Sequence, residues 1–418
     1  MIRCSRRPAE SNAVTLTAIA TAISERGSLC AAELADIQPG SPISRDLALR
    51  LISCSDHDLP ALLAAARAVR DNFKPGFITY SRKVFLPLTN LCRDYCGYCT
   101  FRRDPEEPGA HTMTPEEVLA VARAGEKLGC TEALFSLGDK PELLFPEMRE
   151  TLRHLGYKST LHYLEAMCEL VLRETSLLPH PNPGLLSAEW IARLAAVSPS
   201  MGLMLETASR TLLAAGAAHD NALDKVPAKR LRTIEDAGKQ KVPFTTGVLI
   251  GIGETPDDRV DTLLAIRDLH ERYGHIQEVI VQNFRAKPTI PMAHVPEPGQ
   301  GEMLRAVAVA RLLMPNVNIQ APPNLNAPYY DQLLDAGIND WGGISPLTPD
   351  YINPEKPWPH LEQLRVRTES KGLRLRQRLP VYPEFLPALT SGHGLLSQKL
   401  QASCDREGLA RSKETRVA

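Results

Sequence analysis

From Val84 onward, short apolar runs alternate with stretches of helical periodicity, the pattern of a parallel sheet whose strands are connected by helices. The predicted strands are Val84–Thr89, Ala133–Leu137, Met201–Leu205, Phe244–Ile250, Glu278–Gln282 and Val317–Ala321, with two more near Thr175–Leu178 and Gly337–Asp340. Capping residues mark helix starts at Thr114, Ser187 and Thr255. About eight repeats over roughly 260 residues match a (β/α)8 barrel. A doubly wound sheet would alternate similarly, but polar residues collect just after the strand ends, so we predict an α/β fold of the TIM-barrel type.

The segments outside these repeats differ in composition and indicate the domain boundaries. Residues 1–77 are predicted to form an N-terminal helical segment that caps the barrel, and residues 78–359 the barrel itself. Residues 360–391 are predicted to be a C-terminal closing segment, and residues 392–418 a flexible tail. Six basic residues lie between positions 365 and 378. Because no aromatic residues interleave with them, we expect a solvated helix or strand there rather than an RNA-binding strip.

The composition argues against several classes of protein. The 418 residues are 43% hydrophobic and 23% charged, and 48 Lys and Arg nearly balance 49 Asp and Glu. The resulting net charge of −1 provides no field that would attract nucleic acid or an anionic membrane. No apolar run reaches the roughly 18 residues of a membrane span, and the first residues lack the apolar core of a secretory signal. We expect a cytoplasmic protein that binds neither nucleic acid nor membranes.

Three of the nine cysteines crowd into a short loop directly after the first predicted strand, with the spacing C-x3-C-x2-C. They are Cys92, Cys96 and Cys99. Structural zinc and 4Fe–4S clusters usually take four protein ligands, and no fourth cysteine follows nearby. Two interpretations remain open: a zinc site completed by a distant His111 or Cys130, or a 4Fe–4S cluster with one open iron, which the spacing favours. The other six cysteines are scattered, which is typical of a reducing compartment.

This loop resembles the motif of the radical S-adenosylmethionine (SAM) enzymes, C-x3-C-x-aromatic-C after the first barrel strand, with Tyr98 in the aromatic position. The resemblance implies one 4Fe–4S cluster held by three cysteines. It also implies that SAM chelates the open iron through its amino and carboxylate groups. An electron from the cluster would then split the sulfonium, giving methionine and a 5′-deoxyadenosyl radical.

Three further segments follow strands at positions where that family binds SAM. Gly138 and Asp139 stand in place of the usual Gly-Gly-Glu, so Asp139 is the implied acceptor for the methionyl ammonium. Glu206 is implied to bind both ribose hydroxyls. Ile250 and Gly251 resemble the segment that flanks the adenine. The alternatives are an ordinary strand-to-helix turn at Asp139 and a capping acid or salt bridge at Glu206.

Longer strings narrow the resemblance to one family. They are Ile78–Lys83, Glu132–Glu142, Leu177–Gly184, Gln320–Asn326 and Asn339–Asp350. Over residues 45–385 they resemble the second-acting component of 7,8-didemethyl-8-hydroxy-5-deazariboflavin (FO) synthase. The resemblance implies a tyrosine-using radical SAM partner subunit, which joins a 4-hydroxybenzyl group to 5-amino-6-(ribitylamino)uracil. With an electron donor, this protein would act as a lyase and cyclise that adduct, 5-amino-5-(4-hydroxybenzyl)-6-(ribitylimino)-dihydrouracil, to FO with loss of ammonia.

Substrate contacts and alternative functions complete the expectations. Polar and aromatic residues in these strings suit a pyrimidinedione and a ribityl chain, and the predicted contacts are Asn324, Asn326, Asp340 and Trp341. Each also fits a structural role at a barrel turn. His180 is either a free base or a hydrogen-bonded structural residue, and no catalytic residue is assigned. The alternative functions are another radical SAM enzyme of the same barrel subgroup (the tyrosine-using subunit or a menaquinone-pathway relative) and a non-catalytic zinc-binding module.

Overall fold

The structure is a computed structural model that describes Leu34 and residues 43–411, and eight parallel strands form its centre. The strands are β1 (Phe77–Pro87), β2 (Glu132–Ser136), β3 (Leu178–Asn182), β4 (Met201–Gly202), β5 (Phe244–Ile250), β6 (Ile276–Asn283), β7 (Asn318–Gln320) and β8 (Asp340–Ile344). The hydrogen-bonded order is β3-β2-β1-β8-β7-β6-β5-β4, and β3 lies beside β4 where the path closes. The predicted parallel barrel is therefore confirmed, and all strands present their carboxyl ends to one side.

Helices cover the outside of the barrel. They are α1 (Arg45–Ile52), α2 (Leu59–Phe73), α3 (Pro115–Lys127), α4 (Pro146–Leu155), α5 (Thr160–Glu174), α6 (Ala188–Ala195), α7 (Pro227–Lys239), α8 (Pro256–Tyr273), α9 (Gln300–Leu313), α10 (Gln332–Asp335), α11 (Leu361–Glu369), α12 (Leu386–Thr390) and α13 (Leu395–Ser403). The predicted helix starts are confirmed: Thr114 and Thr255 each form a reciprocal capping box, and the Ser187 hydroxyl accepts from the N–H of Trp190. In the part of the chain that is described, no helix combines the length and the apolar character needed to cross a membrane.

Two strands begin three residues later than predicted. β3 contains Pro179 and Pro181, and because proline is rare in strands, strand propensity does not predict this element. It stands at one end of the hydrogen-bonded path, where missing backbone donors are tolerated. β8 contains Gly342 and Gly343, which likewise read as a turn rather than a strand.

The segment after α11 closes the amino-terminal end of the barrel. β9 (Arg374–Arg378) pairs in parallel with the first five residues of β1. Just beyond it, the carbonyl of Pro380 accepts hydrogen bonds from Ser200, before β4, and Gln277, at the start of β6. The C-terminal segment therefore spans the bottom of the barrel from β1 to β6.

Two predictions for the C-terminal region are wrong. Arg378 is not solvated but 3% exposed, because it enters the barrel interior and pairs with buried carboxylates. The predicted flexible tail contains α13, which buries Leu400 in an apolar cluster with Leu172 and Leu379. The backbone of Ala410 then donates to β9 at Gln377, so residues 395–411 are packed against the barrel. Residues 412–418 lie outside the described residues.

Candidate active site

A cavity of about 270 Å³, which we call the cluster cavity, lies at the carboxyl ends of the barrel strands. Its lining residues come from the carboxyl ends of β2 to β6 and from the segments that follow β1, β2, β3, β4, β6 and β8. Among the predicted site residues it gathers Cys92, Cys96, Cys99, Tyr98, Gly138, Asp139 and Glu206. This is the position that active sites occupy in such barrels.

The loop that carries the cysteines is held in place by its own backbone. The sulfur of Cys92 accepts hydrogen bonds from the N–H groups of Asp94 (3.4 Å) and Asp139 (3.2 Å). Gly97 donates to Ala218 at 2.8 Å, which ties the turn to a loop beyond β4. Cys96, beside this turn, is 8% exposed. Backbone N–H groups therefore hold both the loop and the sulfur of Cys92, and the three sulfurs lie at one cavity.

The electrostatics of the thiols fit a metal cluster. All three are free cysteines, and burial raises the pKa of Cys92 to about 12 and raises the pKa of Cys96 as well. Such thiols become thiolates only beside a strong positive charge, which a bound metal supplies. Three thiolates and two backbone N–H donors to sulfur are a suitable donor set for an iron–sulfur cluster. The residues present therefore fit the implied group.

Gly138 permits the end of β2 to pack against the cysteine loop. A Cβ at this position would lie 1.9 Å from the carbonyl oxygen of Leu91 and 2.7 Å from Cβ of Cys92. Both are atoms of the loop that carries the first cysteine, and the oxygen belongs to the backbone, so neither can move without moving that loop. Glycine at 138 is therefore a requirement of this packing.

We expect Gly138→Ala to lower the iron and sulfide content of the purified protein while the barrel stays folded. Overpacking of this kind costs about 1–3 kcal/mol, and here the strain falls on the cysteine loop. Gly394→Ala is the matched control, because a Cβ there meets nothing within 4 Å. Unchanged iron content in Gly138→Ala, measured beside that control, would contradict the close packing.

Three buried aspartates meet beside the cysteine loop. Oxygens of Asp94, Asp139 and Asp224 all lie within 4.8 Å of one another. Arg93 binds both oxygens of Asp224 at 2.7 and 2.6 Å, and Lys140 pairs with Asp139 at 2.5 Å. Burial is the main cause that raises the pKa of Asp94 and of Asp139, and nearby cations oppose it. Since Lys229 also approaches Asp224 at 4.0 Å, three basic side chains face the three acids, and together they form an ion-pair network beside the cysteines.

Glu206 follows β4 and lies deep in the cluster cavity. It occupies the left-handed backbone region (φ 66°), which is strained for a side chain of this kind and typical of functional positions. Its carboxylate accepts from Lys225 at 2.6 Å, and although burial opposes the effect, Lys225 lowers the pKa of Glu206. Beside it, the hydroxyl of Tyr98 contacts His219 at 3.1 Å. Glu206 is therefore an ionised acceptor in the cavity.

Ile250 and Gly251 do not line the cluster cavity, whereas Leu249 does. Ile250 is fully buried in the core, because side chains alternate along a strand and Leu249 takes the inward position. The N–H of Gly251 donates to the carboxylate of Glu254 at 2.7 Å, which fixes the turn. The prediction that the side chain of Ile250 contacts adenine is therefore wrong. Leu249 is the better candidate for that contact.

A second cavity of about 230 Å³, the barrel cavity, extends from the cluster cavity into the barrel interior. The two share lining residues, among them Ser136, Asn182, Met204 and Gln282, so the space is continuous. The barrel cavity adds His180 and four charged residues: Lys83, Glu132, Glu278 and Arg378. Together the two cavities have the extent of a site for a cofactor and a substrate.

The predicted substrate contacts lie elsewhere. Trp341 is fully buried and its indole donates to Thr368 on α11 at 3.0 Å, so the prediction that it stacks on substrate is wrong. Asp340 is fully buried and paired with Arg378 at 2.6 Å, so it too is wrong as a substrate contact. Both outcomes follow from the alternation of side chains along β8. Asp340 points into the barrel interior, and the next residue, Trp341, points outward toward the surrounding helices.

The two predicted asparagines are also outside both cavities. Asn324 is 3% exposed and donates to Asp350 at 3.0 Å. Asn326 donates to Asn283 at 3.1 Å, and Asn283 lines the cluster cavity. Asn326 therefore supports a lining residue rather than lining the site itself.

Other lining residues escaped the sequence analysis. Lys225 follows β4 and Lys287 follows β6, both in loops without a recognisable motif, and Arg230 lies on α7. Asp94 lies inside the cysteine motif, and its position two residues after Cys92 was the one signal available. Residues of this kind are brought in by tertiary packing, which the sequence pattern does not encode.

The zinc alternative has no geometric support. His111 is exposed and contacts Glu117 at 3.0 Å at the start of α3, and Cys130 is 2% exposed in the apolar core. Neither residue lines the cluster cavity. The structure therefore does not bring either proposed fourth ligand to the three cysteines.

Comparisons with known proteins define the class. The family model of the Radical SAM superfamily matches residues 86–266. The fold is similar to methylornithine synthase (TM-score 0.64, 19% identity, 80% of this chain and 95% of that chain). It is also similar to the FeFe-hydrogenase maturase HydG from Carboxydothermus hydrogenoformans (TM-score 0.66, 19% identity, 93% and 92%). The barrel and the cysteine loop are thus those of the radical SAM enzymes.

Curated relatives narrow this class to one family. The 7,8-didemethyl-8-hydroxy-5-deazariboflavin synthase of Methanopyrus kandleri is 49% identical over 334 residues, which is 80% of this chain and 100% of that protein. FO synthases of Nocardia farcinica (50% identity) and Mycobacterium tuberculosis (48%) match 84% and 92% of this chain, but only 42% and 44% of their own length. The chain belongs to the 7,8-didemethyl-8-hydroxy-5-deazariboflavin synthase family, as its sequence motifs predicted. This membership argues against the zinc-binding module.

Proposed function

We propose that this protein is a cyclising lyase of deazaflavin biosynthesis. It converts 5-amino-5-(4-hydroxybenzyl)-6-(ribitylimino)-dihydrouracil to FO and releases ammonia. The observation that carries the proposal is the match along the whole length of a synthase named for this product. We propose that a tyrosine-using radical SAM component makes the adduct, and the unmatched part of the two FO synthases above is long enough to hold such a component in those proteins. The free buried thiols fit a reducing cytoplasm.

The three cysteines would hold one 4Fe–4S cluster and leave one iron for SAM. When bound, the cluster supplies the electron that splits SAM into methionine and a 5′-deoxyadenosyl radical. The protein supplies position and shielding: the cysteine loop is fixed by backbone bonds, and Leu249 and Leu203 give the cavity apolar walls. Apolar walls of this kind limit the access of water to a reactive intermediate.

The three buried aspartates beside the cysteine loop are suitable acceptors for the ammonium group of SAM. Asp94, Asp139 and Asp224 place carboxylate oxygens within 4.8 Å of one another beside the cysteine loop, where an ammonium group would find several acceptors. Asp139 also donates its backbone N–H to the sulfur of Cys92, so this acid lies beside one of the three sulfurs that would hold the cluster. We propose that Asp139 accepts from the methionyl ammonium and that the other two acids strengthen the local field.

Glu206 suits the ribose of SAM, because a carboxylate can accept from two neighbouring hydroxyls at once. We expect Glu206→Gln to weaken SAM binding about tenfold, the effect of losing a charge-assisted hydrogen bond. Equilibrium dialysis of the cluster-loaded protein measures this. Glu165→Gln is the control, since Glu165 pairs with Arg193 on the outer helices. Equal SAM affinity in both variants would show that Glu206 serves only its salt bridge with Lys225.

The reaction is tested by an anaerobic assay of reconstituted protein with SAM, the hydroxybenzyl adduct and dithionite in place of the electron donor. Mass spectrometry should detect FO, 5′-deoxyadenosine and ammonia, and omission of SAM should remove all three. Detection of 5′-deoxyadenosine without FO would support the proposed radical chemistry but contradict the proposed substrate. Neither product from a protein that carries iron and sulfide would contradict the proposed function.

A further inference from the structure

His180 lies on β3 with one ring nitrogen held and the other directed at the barrel cavity. Its Nδ1 lies 2.7 Å from Oγ of Ser200. The Ser200 hydroxyl donates to the carbonyl of Pro380 at 2.6 Å, and that carbonyl can only accept. A hydroxyl has one hydrogen, so Nδ1 must carry the proton of the contact with Ser200. The hydrogen-bond chain therefore fixes the tautomer and leaves Nε2 with a free lone pair.

The free nitrogen faces open space inside the barrel. His180 lines the barrel cavity, and no described residue forms a hydrogen bond with Nε2. Across the cavity wall, Gly202 leaves room for it: a Cβ on Gly202 would lie 3.2 Å from Nε2 and 2.2 Å from Oδ1 of Asn182. Two acceptor atoms from β3 thus point into the space that a larger residue at 202 would occupy.

The imidazole is neutral at physiological pH. Burial lowers the pKa of His180 to about 4, and of the charged groups that face it, Glu132 on β2 opposes this shift while Lys83 on β1 and Arg378 on β9 add to it. The residue is 4% exposed. A neutral imidazole with this tautomer is an acceptor at Nε2 and cannot donate there.

The surrounding wall mixes donors and acceptors. Lys83 pairs with Glu132 at 3.0 Å, and the lysine lies over Gly343, where a Cβ would be 1.5 Å from its Cε. Nearer the cluster cavity the wall is aromatic, with Phe85 and Trp358 stacked at 5.4 Å between ring centroids. The far end therefore suits hydroxyl groups, each of which donates and accepts, whereas the aromatic part suits a ring.

We infer that the barrel cavity binds the ribityl chain of the substrate, and that His180 accepts a hydrogen bond at Nε2 from one of its hydroxyls. This inference rests on the proposed function for the identity of the substrate. The reacting rings must lie near the cysteines, where the radical forms, and the ribityl chain is the part of the adduct that the reaction leaves unchanged. It can therefore occupy the far, polar end of the continuous space.

The inference is tested with two probes, 5-amino-6-(ribitylamino)uracil and 5,6-diaminouracil, which lacks the chain. Their binding to the cluster-loaded protein with SAM is measured by calorimetry. His180→Asn keeps an amide donor near the Nδ1 position for Ser200 but loses the acceptor at Nε2. His180→Gln places an amide oxygen near Nε2. His275→Asn is the control, because His275 is equally buried but contacts Ile234 on α7, outside the barrel.

We expect His180→Asn to weaken binding of the ribityl probe about three- to tenfold and to leave diaminouracil unchanged, with partial recovery in His180→Gln. The control should change neither. Equal weakening of both probes, no weakening, or equal affinity of the wild-type protein for both probes would overturn the inference. FO formation by the wild-type protein tests the proposed function separately: FO without this probe pattern contradicts the inference alone, and the pattern without FO contradicts the proposed reaction alone.

Discussion

Replacement of Cys96 by alanine is expected to abolish the formation of both 5′-deoxyadenosine and FO. Cys96 is 8% exposed at the centre of the cysteine loop, so no neighbouring thiol can take its position. With two cysteines remaining, the cluster would lose one of the three ligands that the spacing provides. Iron and sulfide content should fall with the activity. Both quantities are measured on protein reconstituted anaerobically beside the wild type.

Cys168→Ala is the matched control for this experiment. Cys168 is fully buried on α5 and packs in the apolar core, where it behaves as a small hydrophobic residue. We expect this variant to keep its iron and its activity, with a modest loss of stability. A cluster retained in Cys96→Ala, or lost equally in Cys168→Ala, would contradict the assignment of the cysteine loop.

The cluster loop could be predicted because its chemistry is local. Cys92, Cys96 and Cys99 lie within one turn-rich segment, and the strand before them is a clear apolar run. Backbone bonds of Gly97 and Asp139, together with the ion pair between Arg93 and Asp224, then hold the loop in place. For a loop of this kind, the spacing of the motif in the sequence is enough to predict which side chains lie together in the structure.

The substrate side could not be predicted because side-chain direction depends on strand register. Prolines in β3 and glycines in β8 hid these strands, and an error of three residues reverses which side chains point inward. Trp341 and Asp340 were therefore assigned to the wrong surfaces. For β5 the bounds were predicted correctly, but the wrong one of two neighbours was assigned to the site, since Leu249 and not Ile250 faces the cavity.

The barrel floor depends on contacts across the whole chain. Arg378 on β9 pairs with Asp340 on β8 at 2.6 Å and with Glu278 on β6 at 2.7 Å. These partners are 38 and 100 residues away along the sequence. From the sequence alone, an arginine in a basic segment is predicted to be exposed to solvent. Its burial can be predicted only if its two carboxylate partners are known to lie inside the barrel. Long-range ion pairs of this kind leave no local signal.

Arg378→Met is expected to lower the free energy of unfolding by about 3–5 kcal/mol, because it leaves two carboxylates buried without their cation. Urea unfolding followed by circular dichroism measures this. Arg374→Met, on the same strand but exposed, is the control and should change stability by no more than about 0.5 kcal/mol. Adding Glu278→Gln and Asp340→Asn to Arg378→Met should restore part of the loss, since it removes the unpaired charges. A small loss in Arg378→Met, or no restoration, would contradict this account of the floor.

The destabilisation of Arg378→Met should also depend on pH. Burial already raises the pKa of Glu278, and Arg378 opposes that effect. Without the arginine, the folded-state pKa of Glu278 would rise further above its unfolded value. Groups whose folded pKa is raised stabilise the folded state at low pH and lose that contribution as pH rises. The loss of unfolding free energy in Arg378→Met, relative to wild type, should therefore be smaller at about pH 5 than at about pH 8. A loss caused only by poorer packing would be the same at both pH values.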